Sequence, residues 1–174
     1  MPDANLPAGP AAGAPRIRAM SAEDVPLLLE LIDALADYEH LPRPDEAARE
    51  RLARDAVAEP PRFRAFLAEL GGTVVGYALY FETYSTFLAR PTLYLEDLFV
   101  RPDARGTGAG AALFQACARE AVGRGCGRLD WQVLAWNQLA LDFYARWDAQ
   151  PLDDWRPFRL TGAALERAAG ATAE

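Results

Sequence analysis

Apolar residues recur along this chain at two periods, and the changes of period mark its elements. Val25, Leu28, Leu29, Ile32 and Leu35 return at helical spacing, which predicts an amphipathic helix as far as Tyr38. Ser21 followed by Asp24 is a helix-start signature, and Pro26 falls in the first turn, where a missing N–H costs least. Arg16 to Ala19 precedes it as a short extended stretch. Pro42 and Pro44 break the chain, and a charged second helix is predicted from Asp45 to Val57, ended by Pro60 and Pro61. The period then shortens. Phe63 to Glu69 and Val74 to Phe81 alternate as strands, and Gly71-Gly72 between them predicts a tight hairpin turn. Glu82 to Pro91 reads as a looser stretch leading to a strand from Leu93 to Val100. A glycine-rich turn then opens a helix from Gly108 to Val122, with Leu113, Phe114, Cys117 and Ala121 inward and Gly123, Gly125 and Gly127 at its end. Leu129 to Leu134 reads as a strand, Asn137 as the cap of a helix reaching Trp147, and Trp155 to Leu160 as a last strand. This mixture predicts an α/β layer fold whose first half is mainly antiparallel.

Composition narrows the function. A chain of 174 residues, half of them hydrophobic, buries one good core and falls short of two ordinary domains. Residues 1–15 are mostly Pro, Ala and Gly with no basic start and no apolar centre, so they read as a flexible leader and not as a signal peptide. Residues 16–165 read as one domain and 166–174 as a flexible tail. A net charge of −7 argues against a general nucleic-acid binder, which needs a basic face to displace counterions. It is compatible with a cationic partner, and equally with an indifferent acidic enzyme. No apolar run approaches the roughly 18 residues of a membrane span. Cys117, Cys126 and His40 form neither a zinc constellation nor a disulfide framework, so no metal is expected and a reducing cytoplasm is the expected compartment. Cys117 reads as packing and Cys126 as a loop thiol.

The segment Arg105-Gly106-Thr107-Gly108-Ala109-Gly110 follows a strand and opens a helix. The first backbone N–H groups of a helix lack internal partners, and the helix dipole favours an anion there. Glycines let a pyrophosphate approach without a Cβ in its way, and Arg105 offers a charge-assisted contact. Gly106, Gly108 and Ala111 also fit a dinucleotide fingerprint, with Asp130 near the place of a ribose-binding acid. Against that reading, Arg101 to Arg105 intervene after the strand, and a hairpin precedes where parallel strands are usual. A plain turn is the third possibility.

Glu96 and Asp97 interrupt the strand between Leu93-Tyr94-Leu95 and Leu98-Phe99-Val100. Carboxylates in so apolar a strand are costly unless paired, hydrated or needed. Alternation is expected to send them to opposite faces, one lining a cavity and the other bonding to nearby loops. Glu96 suits a general base toward an amine. The competing picture is an edge strand carrying two solvated acids.

Tyr94-Leu95-Glu96-Asp97-Leu98-Phe99-Val100, the turn from Arg105 to Gly110, and Trp136-Asn137 with Phe143-Tyr144 follow in the order and spacing of GNAT acetyltransferases. The likeness runs from Arg16 to Leu160, includes Tyr38-Glu39, and is greatest to the spermidine/spermine (diamine) and thialysine acetyltransferase branch. The resemblance implies a GNAT fold: a mixed central sheet, antiparallel in its first half and splayed between parallel strands at the cofactor site, flanked by helices. It implies acetyl-CoA as co-substrate and direct transfer to the primary amine of a small molecule, a diamine or polyamine first, then a thialysine-like amino acid, then a protein N-terminus. An acyl-CoA-binding module without turnover and a nucleotide-dependent oxidoreductase are the rival classes. A homodimer is the expected assembly.

By the same resemblance, Leu98, Phe99 and Val100 hold the pantetheine arm, and Arg105, Gly106, Thr107, Gly108, Ala109, Gly110 and Ala111 hold the pyrophosphate. Asn137 and Ala140 contact the cofactor arm. Tyr144 is the general acid for the departing thiolate. Tyr38, Glu39 and Glu96 surround the acceptor amine, and Glu96 takes its proton through water. The family usually places a glycine after Phe-Tyr and before the next strand. Trp147-Asp148-Ala149 stands there instead, and Asp tolerates a left-handed backbone better than most residues.

Overall fold

The computed structural model describes residues 13–170, so the expected leader lies outside it apart from its last residues, and the end of the expected tail lies outside it as well. The chain divides into two compact units, with the boundary between Gln132 and Val133.

The first unit is a five-stranded sheet in the order β1-β2-β3-β4-β5, formed by β1 (Arg16–Ala19), β2 (Arg64–Leu70), β3 (Thr73–Ser85), β4 (Arg90–Val100) and β5 (Arg128–Trp131). The first three pairings are antiparallel, and β4 with β5 is parallel. Helices α1 (Val25–Tyr38), α2 (Glu46–Ala56) and α3 (Ala109–Gly123) complete the unit. Leu28 and Leu31 of α1 pack with Leu67, Tyr77, Leu79 and Phe99 as a core. Strand alternation puts Ala78 and Tyr80 on the opposite face of β3, where Tyr80 meets Glu120 of α3. Helices thus cover both faces of the sheet.

The predicted punctuation governs these elements. The Ser21 backbone N–H and hydroxyl both donate to Asp24 at 2.8 Å, and Arg18 reaches from β1 to the same carboxylate and to Glu69 of β2. Asp45 caps α2 by accepting from the Ala48 N–H. Cys117 is fully buried, and desolvation pushes its thiol up to about 12, which keeps it protonated and inert. Trp131 packs edge-on against Phe114, with ring centroids 5.3 Å apart.

Three expectations need correction. Glu82 to Pro91 is no loose stretch: β3 runs on to Ser85 and β4 begins at Arg90, so the hairpin extends almost to its tip. The strand expected over Leu129 to Leu134 ends at Trp131, because its pairing with β4 stops at Leu95, where β4 bulges. Trp155 to Leu160 forms no strand. Pro157 in its middle removes a ladder donor, which demotes such a segment.

The second unit holds α4 (Gln138–Ala145) and α5 (Gly162–Ala168), so ordered helix crosses the expected start of the tail. Asn137 caps α4, its side chain accepting from the Ala140 N–H at 3.2 Å. Asp148 adopts φ 55°, the left-handed backbone that the family's glycine would take.

Candidate active site

The middle of β4 shapes the acceptor end of the site. Leu79 of β3 faces Asp97, yet the next residue, Tyr80, faces Leu95. Two residues of β4 therefore advance against one of β3, and Glu96 is the extra residue of a β-bulge. A bulge resets alternation. Glu96 and Asp97 do not go to opposite faces as expected; both line one cavity of about 450 Å³, with Ile32, Leu52, Arg62, Phe63, Leu79 and Phe81. Nor is β4 an edge strand, since β3 and β5 flank it.

Among the described residues, Asp97 bonds to a neighbouring strand and to no loop. Its Oδ2 accepts a hydrogen bond of 3.1 Å from the hydroxyl of Tyr77, a fully buried residue of β3. Burial and the nearby charges of Glu96 and Glu39 push the Asp97 carboxyl up to about 6, against the opposing pull of the Tyr77 bond. The Tyr77 phenol is raised well above its usual value, chiefly by burial and then by Asp97. Glu39, just after α1, is also raised by burial. Three carboxylates thus share one electrostatic neighbourhood.

Of the expected acceptor residues, Glu96 lines this cavity, whereas Tyr38 and Glu39 do not. Tyr38 instead lies beneath Arg105, whose guanidinium carbon is 4.4 Å from the ring centroid. Arg105 Nε also donates to the Val100 carbonyl at 3.3 Å, so its side chain ties the turn to β4. Sequence reasoning overlooked Tyr77, Asp97 as its partner, and Arg62. A tyrosine within the apolar run from Val74 to Phe81 is the signal the sequence offers, because a buried phenol needs a partner.

The turn after β4 fits a phosphate group. Gly106 and Gly108 have φ of 79° and 88°, and a Cβ added at either would meet nothing within 4 Å. Open space stands where a side chain would obstruct a ligand. Gly108 is the N-cap of α3 and offers no side-chain cap, which leaves the first helical N–H groups available. Thr107 braces the turn by donating to the Ala104 carbonyl at 2.7 Å. Beyond Leu95, no strand among the described residues pairs with β4 on its β5 side. Leu98 to Val100 lie on that stretch, where the pantetheine arm is expected.

In the second unit, Asn137 and Ala140 meet at the start of α4, and Tyr144 stands near its end with its ring edge-on to Phe143, centroids 5.2 Å apart. No helix among the described residues is long and apolar enough to cross a membrane.

A bulged strand bearing carboxylates, followed by a glycine turn that opens a helix, defines an acyl-transferase of the GNAT type. Residues 28–148 match the model of the acetyltransferase (GNAT) family, and the chain belongs to that family. It is an N-acetyltransferase and acts on amines. The chain is 37% identical over 165 residues to thialysine N-epsilon-acetyltransferase of Bos taurus, covering 88% of this chain and 96% of that protein. It is 31% identical over 155 residues to spermidine/spermine N(1)-acetyltransferase-like protein 1 of Homo sapiens, covering 83% of this chain and 22% of the longer human protein. Among solved structures, an integron cassette protein from V. cholerae superposes with a TM-score of 0.78 at 25% identity, covering 90% of this chain and 98% of that one.

Proposed function

We propose that this enzyme moves the acetyl group of acetyl-CoA to the primary amine of a small molecule. The carrying observation is the bulge that brings Glu96 and Asp97 into one cavity walled otherwise by apolar side chains and Arg62. Carboxylates in such a wall attract a cation, and an alkyl ammonium, with a pKa of about 10.4, must lose a proton before it can attack. Glu96 relays that proton through water. Tyr144 supplies a proton to the sulfur as the C–S bond breaks. From a phenol of pKa about 10 to a thiolate of about 8.5 that transfer is uphill by roughly 1.5 pKa units, and it is drawn on by collapse of the tetrahedral intermediate. The backbone from Arg105 to Ala111 holds the pyrophosphate, the free edge at Leu98 to Val100 holds the pantetheine arm, and Asn137 and Ala140 contact that arm. We read the enzyme as a homodimer on the family resemblance, and as cytoplasmic on its two free cysteines, Cys117 and Cys126.

A diamine or polyamine places one amine at Glu96 and Asp97 and a second cation toward Glu39. One observation favours a second acceptor, an amino acid with a side-chain amine. Its carboxylate needs a cation, and Arg62 lines the same cavity. The bovine relative is named for such a substrate, thialysine.

The test is thiol release from acetyl-CoA across diamines, polyamines, thialysine-like amino acids and short peptides, in wild type and Tyr144→Phe. Small amines should outrun peptides, and Tyr144→Phe should lower turnover by roughly 10²-fold with little change in acetyl-CoA affinity. Thiol release that no amine accelerates overturns this function.

A further inference from the structure

The floor of the acceptor cavity contains a contact that proton relay by Glu96 leaves without a role. The Tyr77 ring is fully buried in the core beside Leu28, Leu31 and Phe99, and its hydroxyl is spent on Asp97 Oδ2 at 3.1 Å. A fully apolar phenylalanine would fill the same core without requiring a buried polar partner. Asp97 pairs with Leu79 beside the bulge at Glu96, two residues along the ladder from the Tyr77–Phe99 pair, so it shares a face of the sheet with Tyr77. Its other oxygen, Oδ1, accepts no hydrogen bond among the described residues, while Asp97 itself lines the cavity. One oxygen is anchored, then, and the other is left for a ligand.

We propose that Tyr77 is a positioning residue that holds Asp97 as a second carboxylate for the acceptor's ammonium, beside Glu96. This rests on the acceptor reading above. The division of labour is simple. An N–H bond of the ammonium breaks, its electron pair stays on nitrogen for the attack, and the proton passes to Glu96 through water. Asp97 remains ionised and keeps the nitrogen in place.

Asp97 can do this only while charged, and its surroundings oppose that charge. Glu96 on its own strand and Glu39 after α1 repel it, and burial penalises it. Tyr77 on β3 is the group that favours its ionised form. Arg62, ahead of β2, lines the same cavity, while α1 and α2 contribute the uncharged Ile32 and Leu52. The balance leaves the carboxyl at about 6, which is close enough to neutrality for one hydrogen bond to matter.

Tyr77→Phe keeps the ring and removes only the donor. Expected are a rise of about tenfold in the amine KM near pH 7, with the acetyl-CoA KM unchanged, and an acid limb of kcat/KM that moves up by roughly half a pH unit or more. Carboxyl carbon NMR of the substrate-free protein should show the Asp97 titration displaced upward in the same variant, whether or not any amine is turned over. An acid limb and an Asp97 titration that both stay fixed, with only Tm and kcat lowered, would reduce Tyr77 to a packing residue and overturn the proposal. Should wild type acetylate no amine while the titration still moves, the acceptor reading falls and the coupling of Tyr77 to Asp97 stands.

Discussion

The glycine turn after β4 and the bulge within β4 lie on one continuous stretch of chain, yet they meet charge in opposite ways. The turn uses backbone: Gly106 and Gly108 in left-handed conformations, a helix start without a side-chain cap, and open space where Cβ atoms would stand. It suits an anion, and its recognition is local in sequence. The bulge uses side chains: Glu96 and Asp97 from β4, Tyr77 from β3 and Glu39 from the end of α1, gathered by folding. It suits a cation, and burial raises the carboxyls of Asp97 and Glu39. A site assembled by the backbone tolerates many side chains around it and few insertions of bulk. One assembled by buried side chains is sensitive to single polar atoms and to pH.

Gly108→Glu is the sharpest way to separate the two. A carboxylate at the N-cap opposes the pyrophosphate, and a side chain at φ 88° adds strain of roughly 1–2 kcal/mol. The rise in Tm that acetyl-CoA produces through mass action should vanish, while the Asp97 titration stays where it was. Gly108→Asn tolerates the left-handed backbone without adding charge, and it should keep most of the shift. A Glu variant that retains the full acetyl-CoA shift removes the turn from the cofactor site.

Asp97→Asn has a smaller effect and one of opposite sign on stability and activity. The folded carboxyl titrates at about 6 against an ordinary value of 3.8. Between those values the folded chain holds more protons than the unfolded chain, so this group's contribution to stability falls as pH rises through the window and stays unfavourable above it. Asparagine carries no charge and can still accept the Tyr77 bond. At pH 8 the variant should gain roughly 4 °C in Tm, a gain that disappears below pH 4, and it should lose about tenfold in amine kcat/KM. Thermal melts across pH, run beside the kinetics, check both signs; a lower Tm at pH 8 would contradict the burial of that charge.

The same contrast explains what could be read from the sequence. Local signals carried well: the Ser21–Asp24 start of the first helix, the Gly71-Gly72 turn, and Asp148 in the left-handed region where a glycine is usual. The turn from Arg105 to Gly110 was legible because glycine spacing between a strand and a helix is itself the structure. The bulge was not, because it is an event of register between β3 and β4, and strict alternation then assigned Asp97 to the wrong face. The shortened β5 has the same cause, for its ladder stops where β4 bulges. Within Trp155 to Leu160, Pro157 has no N–H to give a ladder, and that outweighs the apolar residues around it. Arg62 went unnoticed because nothing in the sequence near it says that the segment before β2 borders the cavity that β4 lines.

Arg62 gives the smallest expected effect and the finest test of what the acidic end receives. The residue is exposed, forms no ion pair among the described residues, and lines the cavity that Glu96 and Asp97 also line. A carboxylate on the acceptor would meet its guanidinium in partly aqueous surroundings, where such a pair contributes about 1 kcal/mol or less. Arg62→Ala should therefore raise the KM for a thialysine-like amino acid by roughly fivefold at most. For a diamine of similar length the same change removes a repelling cation, so its KM should hold or fall. Added salt should shrink the difference by screening an exposed pair. The opposite movement of the two constants carries the argument, since a general loss of packing would raise both. If both rise together, Arg62 reads no carboxylate, and the three acids alone leave diamines and polyamines as the better acceptors.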